Sequence, residues 1–322
     1  MTNAYLPEGL LIAKPENQAY LSSLQGLEQA LLQGRILEAT ALLCDNTLRL
    51  HIDLGGMRGY IEKQECLYCR PGESIKDIAV ITRVGKPVCF KVMRIERDEN
   101  GPYAVLSRRL AQQECYHSYL SDLINGDIIP AKVTHLENFG AFVDIGCGIS
   151  SLLSIDCISV SRISHPRDRL AVGQFTDVAV KAIDRGNGRI FVSLRELLGT
   201  WEENARQFKV GSTVAGVIRS IESYGIFVEL SPNLAGLAET KDSRRFPMPS
   251  PDWIGRRAAV FIKSITPERM KIKLVLIDIA GKAELSALKH YVALPTVKHI
   301  DYWRYSPDGC SKVIETYFST GR

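Results

Sequence analysis

The sequence predicts an all-β protein with linker helices: three small, closed, five-stranded β-barrels in tandem, followed by a small C-terminal extension. Three observations predict this class. A segment about one small domain long recurs along the chain, and within each copy apolar and polar residues alternate with the period of two typical of half-buried strands. Between the copies the apolar residues change to helical spacing. The 322 residues, 45% of them hydrophobic, suffice for several such domains.

The internal repeat is visible without gaps. Two stretches of one copy overlie two stretches of the next, 126–145 over 211–230 and 173–190 over 255–272. A more diverged copy precedes them, with 52–55 under 143–146 and 84–95 under 172–183. Short strands between Gly, Asn and Asp turns favour closed barrels, because an open sheet would expose its edges. The oligonucleotide-binding (OB) barrel is the simplest fold of this kind.

These patterns divide the chain into seven predicted segments. They are an N-terminal helical extension at 1–33, a degenerate barrel at 34–109, a linker helix at 110–125, a barrel at 126–195, a linker helix at 196–209, a barrel at 210–277 and a C-terminal extension at 278–322. Within the extension we predict a short helix at 279–289 and two strands at 297–305 and 312–318.

Composition narrows the class of protein. No stretch is apolar over the length of a membrane span, and residues 1–17 lack a signal-peptide pattern, so we expect a soluble, cytoplasmic protein with no membrane partner. The net charge of +4 favours polyanionic partners only slightly. The eight cysteines are scattered and are interpreted as reduced thiols. Cys66 and Cys69 could instead form half of a zinc site, completed by Cys44 or Cys89.

Motifs of enzyme chemistry are missing from the sequence. It contains no phosphate-binding loop ending in Lys-Ser or Lys-Thr, no dinucleotide fingerprint, no His-Glu-x-x-His and no Gly-x-Ser-x-Gly. We therefore expect a protein that is not an enzyme and that uses no cofactor and no metal.

An aromatic pair marks the centre of the second copy. Phe139 precedes Gly140, and Phe142 follows two residues later. A glycine in a strand often marks a bulge or a close backbone approach, so both rings could point outwards. Exposed rings on a barrel stack unpaired bases. The alternative is that both rings belong to the core.

The motifs of the second copy together resemble an S1 RNA-binding domain. They are Gly126-Asp127, Phe139-Gly140-Ala141-Phe142-Val143-Asp144, Ser164-His165-Pro166, Val172-Gly173-Gln174, Ile183-Asp184 and Gly188-Arg189-Ile190-Phe191-Val192-Ser193. The resemblance is close for 126–195, good for 211–277 and faint for 34–109. Three such domains joined by short helices resemble a shortened member of the bacterial ribosomal protein S1 family.

The resemblance implies a site for single-stranded RNA. The positions that match the family's binding face are Phe139, Phe142, Asp184 and Arg189 in the second copy, and Tyr224, Phe227 and Lys271 in the third. The family's histidine position falls on Ser154 and Glu239, and its aspartate position in the third copy falls on Thr266. These departures weaken the expected RNA site most in the third copy.

A cationic loop of the second copy is a further candidate. Arg162, His165, Arg167 and Arg169 are close in sequence and could bind phosphates. Because Asp168 lies among them, the same residues could equally form a solvated loop.

We therefore expect a single-stranded RNA-binding protein that assists translation by holding mRNA near the ribosome. The alternatives are a protein-docking adaptor on the ribosome or transcription machinery, and an accessory RNA-binding subunit of an RNA-processing complex. In the first copy Leu48 and His51 occupy the positions of the ring pair, and Arg49 that of the glycine. A face with Leu48 and Leu50 could dock on the small ribosomal subunit, or could be merely diverged.

Overall fold

The computed structural model describes residues 5–69, 72, 74–239, 250–283 and 296–318. Its strands form three closed five-stranded barrels in tandem, together with a short two-stranded sheet. This confirms the predicted fold class. Backbone contacts divide the chain into two compact units, of which the first comprises the first barrel, its helices and residues 130–132 and 144–150. The second comprises the rest of the second barrel, the third barrel and the two-stranded sheet.

The first unit begins with two helices, α1 Pro15–Leu21 and α2 Leu24–Gln33. The side chain of Ser23 accepts a hydrogen bond from the Gly26 amide and caps the start of α2, and Gly34, with a φ of 61°, ends it. The strands of the barrel are β1 Ile36–Cys44, β2 Leu50–Asp53, β3 Arg58–Ile61, β4 Pro87–Asp98 and β5 Gly101–Ser107, in the order β1-β2-β3-β5-β4. Helices α3 Asp77–Ile81 and α4 Arg108–Ser118 complete it.

The second barrel is built from β6 Ile128–Glu137, β7 Gly140–Asp144, β8 Ser150–Ser154, β9 Phe175–Asp184 and β10 Arg189–Ser193, in the order β10-β8-β7-β6-β9. Alternate residues of its strands fill the interior, as the sequence pattern predicts; Val133, Val143 and Val192 are all buried. The parallel pair β8–β10 closes the barrel. Two 3₁₀ turns, at Ile155–Cys157 and Pro166–Asp168, lie in the loop between β8 and β9.

The third barrel follows helix α5 Trp201–Ala205, whose start is capped by Thr200. Its strands are β11 Thr213–Glu222, β12 Gly225–Ser231, β13 Leu234–Glu239, β14 Arg256–Thr266 and β15 Lys271–Lys282, in the order β11-β12-β13-β15-β14. Strands β16 Tyr302–Arg304 and β17 Glu315–Tyr317 form an antiparallel hairpin within the C-terminal extension, at shorter length than predicted.

The prediction of a helix at 279–289 is wrong for residues 279–282, which belong to a strand. Strand β15 continues to Lys282, where it pairs with Arg256 of β14. Ladder pairing with a long neighbouring strand outweighs local propensity there. The residues of the predicted helix from 284 onwards lie outside the described part of the chain.

The helical linkers are shorter than the predicted segments. The linker helix predicted at 110–125 corresponds to α4, which ends at Ser118. The linker helix predicted at 196–209 corresponds to α5, which spans five residues. Within the described ranges, no helix has both the length and the apolar character needed to cross a membrane.

Candidate nucleic-acid interface

Phe139 and Phe142 lie on the surface of the second barrel. Their rings meet edge to face, with centroids 6.1 Å apart and planes at 89°. Phe139 is 55% exposed, and Phe142 is half-buried. Gly140 permits this arrangement because a Cβ there would lie 2.5 Å from the carbonyl oxygen of Leu153. The chain can therefore turn outwards at Phe139 while β7 stays in contact with β8.

Two further rings extend this surface. His135 of β6 stacks on Phe142, with centroids 6.4 Å apart and planes at 25°. Phe191 of β10 is half-buried and pairs with Leu152 of β8. In the third barrel the equivalents of Phe191, Leu152 and Phe142 lie side by side in register, which places Phe191 on the same face as Phe142. We call His135, Phe139, Phe142 and Phe191 the ring face of the second barrel. It offers more aromatic surface than the predicted pair alone.

Strict alternation from Val133 directs His135 into the barrel, yet His135 is exposed. In the third barrel the register of β11 against β12 shifts between Ile218 and Ser220, which are the repeat equivalents of Val133 and His135. A local bulge of this kind turns the next side chain to the opposite side. The alternation of β10, in which Arg189 and Phe191 point away from the core, could have revealed Phe191.

Asp184 and Arg189 face each other across the β9–β10 hairpin. Asp184 accepts hydrogen bonds from the backbone N–H of Asn187 at 3.0 Å and from its side-chain amide at 2.7 Å. These bonds lower the pKa of Asp184, which holds the carboxylate in its charged form. Arg189 is exposed two residues before Phe191 on the same side of β10, so its charge lies at the edge of the ring face.

The four candidates of the cationic loop have different environments, and Arg162 is exposed to solvent. His165 caps the 3₁₀ turn, and its Nδ1 accepts a hydrogen bond from the Arg167 N–H at 3.0 Å. Arg167 is exposed to solvent. Arg169 is only 2% exposed, and its guanidinium donates to the carboxylate of Glu229. Because a buried, ion-paired arginine cannot reach a phosphate from solvent, we leave Arg169 out of the proposed interface.

Arg167 and Arg169 give a matched pair of variants. Arg167→Ala is expected to weaken RNA binding with unchanged stability. Arg169→Ala is expected to lower the free energy of unfolding by about 2 kcal/mol, less than the roughly 3 to 5 kcal/mol for an isolated buried pair. The reason is that Arg219 remains bonded to Glu229 at 2.8 Å. Denaturant titration and RNA anisotropy on both variants test this; loss of RNA affinity in a stable Arg169→Ala protein would contradict it.

The third barrel repeats the ring pair with a different surrounding. Tyr224, 58% exposed, and Phe227 meet edge to face with centroids 6.2 Å apart. Lys273 takes the place of Phe191, since it pairs with Leu237 as Phe191 pairs with Leu152. Lys273 bonds Glu239 at 3.2 Å, and Lys271 is exposed at the edge. The face thus has fewer rings than that of the second barrel, and a carboxylate lies beside them.

The first barrel lacks the ring pair on the strand that corresponds to β7, but it carries two rings on other strands. Leu48 lies in the turn before β2 with a φ of 63°, and Leu50 is fully buried, so the apolar face expected from these two residues does not form. Tyr60 and Tyr103 stack instead, with centroids 5.8 Å apart. The repeat does not predict them, because they lie on β3 and β5 and not on the strand that corresponds to β7.

Arginines cover both of these tyrosine rings. The guanidinium of Arg49 lies 4.8 Å from the Tyr60 centroid, and that of Arg58 lies 5.5 Å from the Tyr103 centroid. Arg58 is also paired with Asp98. The ring surfaces and their charges are therefore already occupied within the barrel, unlike those of the second barrel.

Cysteines and acidic residues do not assemble a metal site in the described part of the chain. None of the eight cysteines, all of which lie among the described residues, forms a disulfide. No group of three or more His, Cys, Asp or Glu side chains among the described residues is arranged to hold a metal ion.

Comparison with known proteins gives one family match. Residues 122–195 match the model of the S1 RNA binding domain, which is the segment that carries the ring face. A solved structure, the solution structure of GSP13 from Bacillus subtilis, is 30% identical and covers 23% of this chain and 57% of its own, with a TM-score of 0.22. That score is too low to add to the fold assignment.

The curated relatives of this chain include bacterial ribosomal proteins. The small ribosomal subunit protein bS1 of Leuconostoc lactis is 28% identical over 73% of this chain and 54% of its own length. That of Staphylococcus aureus (strain COL) is 30% identical over 62% of this chain and 52% of its own length. The bS1 homolog of Bacillus subtilis (strain 168) is 30% identical over 65% and 56%. The chain thus spans about half the length of the curated relatives it matches.

Proposed function

We propose that this chain is a non-catalytic, single-stranded RNA-binding protein. Two findings support the proposal: residues 122–195 match the S1 RNA binding domain, and the chain resembles a shortened ribosomal protein S1. It assists translation in the cytoplasm by holding mRNA near the ribosome. The observation that carries this proposal is the ring face of the second barrel, with two aromatic side chains presented in edge-to-face geometry at its centre. Stacking on exposed rings is tolerant of sequence, because every base has an aromatic face.

The chemistry of the proposed site is binding alone. Unpaired bases stack on Phe139 and Phe142, and His135 and Phe191 prolong the aromatic surface on either side. Arg189 and Arg167 are exposed and supply charge for phosphates. Tyr224, Phe227 and Lys271 form a second, weaker site. Weak successive sites on one strand add through effective concentration, so the barrels together bind a long RNA more tightly than either does alone.

A docking role for the first barrel is the second candidate, and an exposed apolar surface favours it. Leu42 and Leu43 of β1 and Ile78 and Ile81 of α3 are all exposed. The hydrogen bond from the Gly85 N–H to the Ala41 carbonyl, 2.8 Å, holds the turn after α3 beside β1. Apolar patches of this kind mark protein contacts. The proposed partner is the small ribosomal subunit.

The salt dependence of RNA affinity tests the proposed function. The net charge is only +4, so few phosphates are neutralised. The logarithm of affinity for an unstructured oligoribonucleotide should fall with the logarithm of salt at about 0.7 per phosphate contact, for a handful of contacts. Fluorescence anisotropy measures this slope, with duplex RNA as the control expected to bind weakly. Binding that prefers the duplex, or a steep slope, would assign affinity to charge and contradict the stacking site.

The docking role has a separate test. Co-sedimentation with small ribosomal subunits should decrease when Ile78 and Ile81 are both replaced by serine, while RNA affinity stays unchanged. Unchanged co-sedimentation of this variant would contradict docking through the first barrel.

A further inference from the structure

The sequence of the C-terminal extension predicts no role for it, yet its described part contacts the second barrel through backbone hydrogen bonds. The Ile128 N–H at the start of β6 donates to the Lys298 carbonyl at 2.8 Å. The Ile300 N–H donates to the Gly126 carbonyl at 3.0 Å. Gly126 permits this approach, because a Cβ there would lie 2.1 Å from the Ile300 carbonyl oxygen. Segment 298–300 therefore runs beside the first residues of the second barrel.

A side-chain bond reinforces the same contact. His299 Nδ1 lies 2.7 Å from Asp127 Oδ1, and its Nε2 lies 3.2 Å from Asp301. Burial lowers the pKa of His299, but the two carboxylates outweigh burial and raise it above its ordinary value. The contact is thus charge-assisted when the imidazole is protonated.

The next residues of the extension pack on the third barrel. Trp303 and Tyr305 belong to the buried hydrophobic cluster of that barrel, together with Trp201 of α5. The Trp201 N–H donates to the Tyr305 carbonyl at 3.0 Å. The Tyr305 hydroxyl donates to the carbonyl of Asn233, in the turn between β12 and β13. Within seven residues the extension thus passes from the second barrel to the third.

The linker between these barrels contacts the returning strand. Arg195 Nη2 donates to the Thr316 hydroxyl at 3.0 Å, and that hydroxyl donates to Glu196 at 2.9 Å. Phe318, which is buried, follows directly and its N–H donates to the Asp301 carbonyl at 3.0 Å. The hairpin is therefore held on the linker as well as on each barrel.

The second and third barrels also contact each other directly, in addition to their contacts with this segment. The fully buried Asn233 accepts from the Val160 N–H and donates to the carbonyls of Arg195 and Gly199, each at 2.9 Å. Arg169 of the second barrel is ion-paired with Glu229 of the third. These groups are satisfied only while the barrels keep one relative orientation, because an unpaired buried polar group is costly.

We propose that residues 298–318 are a positioning strap that fixes the second and third barrels in one orientation, so that a single RNA strand engages both ring-bearing faces at once. This rests on the proposed function. Among the described residues, no hydrogen bond, ion pair or ring contact joins the strap to the ring face. It acts by keeping the second site at high effective concentration once the first is occupied, a gain that disappears when the geometry is lost. The strap residues are thus positioning residues for long RNA and do not contribute to either single site.

The test compares two RNA lengths on the full chain. An oligouridine of about 6 nucleotides lies within the roughly 4 to 16 that one OB barrel covers, and one of about 24 nucleotides can reach both barrels. The strap variant combines His299→Ala, Tyr305→Phe and Thr316→Val. Tyr302→Phe is the matched control, because it removes a hydroxyl that donates to the half-buried Glu315 within the same hairpin.

For the unchanged protein and the control, the long RNA is expected to bind at least about 100-fold tighter than the short one. In the strap variant the affinity for the long RNA should fall towards that for the short RNA, whose affinity stays unchanged. Hydrogen exchange of the Ile128 and Trp201 amides, which donate to the strap, should accelerate. If the triple variant melts, Tyr305→Phe alone gives the same comparison at smaller amplitude.

The outcomes separate the two proposals. Absence of binding to either RNA by the unchanged protein refutes the proposed function, and the strap proposal with it. Binding to the short RNA with no gain for the long one refutes the strap alone. Accelerated exchange at Ile128 and Trp201 with a retained preference for long RNA also refutes the strap.

Discussion

Replacing Phe139 and Phe142 together with alanine is expected to weaken binding to a short unstructured RNA by about 1 to 3 kcal/mol per lost stack. The two rings are surface groups, so their loss removes base-stacking area without opening the core. The free energy of unfolding should therefore change little. Anisotropy with a short oligouridine measures the affinity, and circular dichroism with thermal melting confirms the fold.

Two comparisons sharpen this result. Tyr317→Ala removes an exposed ring outside the barrels, 65% exposed, and should leave affinity for the short RNA unchanged. Tyr224→Ala with Phe227→Ala should cost less than the second-barrel pair, because Lys273 and Glu239 replace aromatic surface beside it. A folded Phe139→Ala, Phe142→Ala protein with full affinity would overturn the ring face as the RNA site.

Much of the fold can be predicted from the sequence because the same strand pattern occurs in three copies, and each copy supports the interpretation of the others. Each copy places apolar residues at alternate positions, and ungapped matches locate equivalent strands even where single residues diverge. The first barrel illustrates this: the alignment of 52–55 with 143–146 falls on corresponding strand ends, β2 and β7. The sequence predicts that the third barrel ends at 277, whereas strand β15 continues to Lys282. Its last residues carry no local strand signal, and pairing with β14 fixes them.

The sequence predicts the candidate site only where its residues lie close together in the chain. Phe139 and Phe142 flank one glycine, so a motif reveals them. His135 depends on a register shift, and Tyr60 and Tyr103 depend on which strands become neighbours in a closed barrel. Arg167 and Arg169 differ by two residues in sequence, yet the first is exposed and the second is buried against Glu229, 60 residues away. Local composition cannot distinguish them.

The same limit applies to a buried ion pair of the first unit. Arg108 and Glu8, separated by 100 residues, are both almost fully buried. Arg108 Nε donates to Glu8 at 2.7 Å, its Nη2 donates to the same carboxylate at 3.0 Å, and its Nη1 donates to the Cys66 carbonyl at 3.1 Å. Burial raises the pKa of Glu8, but the charge of Arg108 outweighs burial and lowers it. The carboxylate is therefore charged and depends on its partner.

Arg108→Ala is accordingly expected to lower the free energy of unfolding by roughly 3 to 5 kcal/mol, because it leaves the buried carboxylate of Glu8 without its bidentate partner. Arg109→Ala is the matched control: its side chain is 34% exposed and pairs with Glu65 at 3.1 Å, so about 1 kcal/mol or less is expected. The double variant Glu8→Leu with Arg108→Met should recover part of the loss, since it removes both charges and keeps apolar volume. Urea titrations of the four proteins measure these differences. Equal losses for Arg108→Ala and Arg109→Ala would show that the Glu8 pair contributes no more to stability than a half-exposed surface pair.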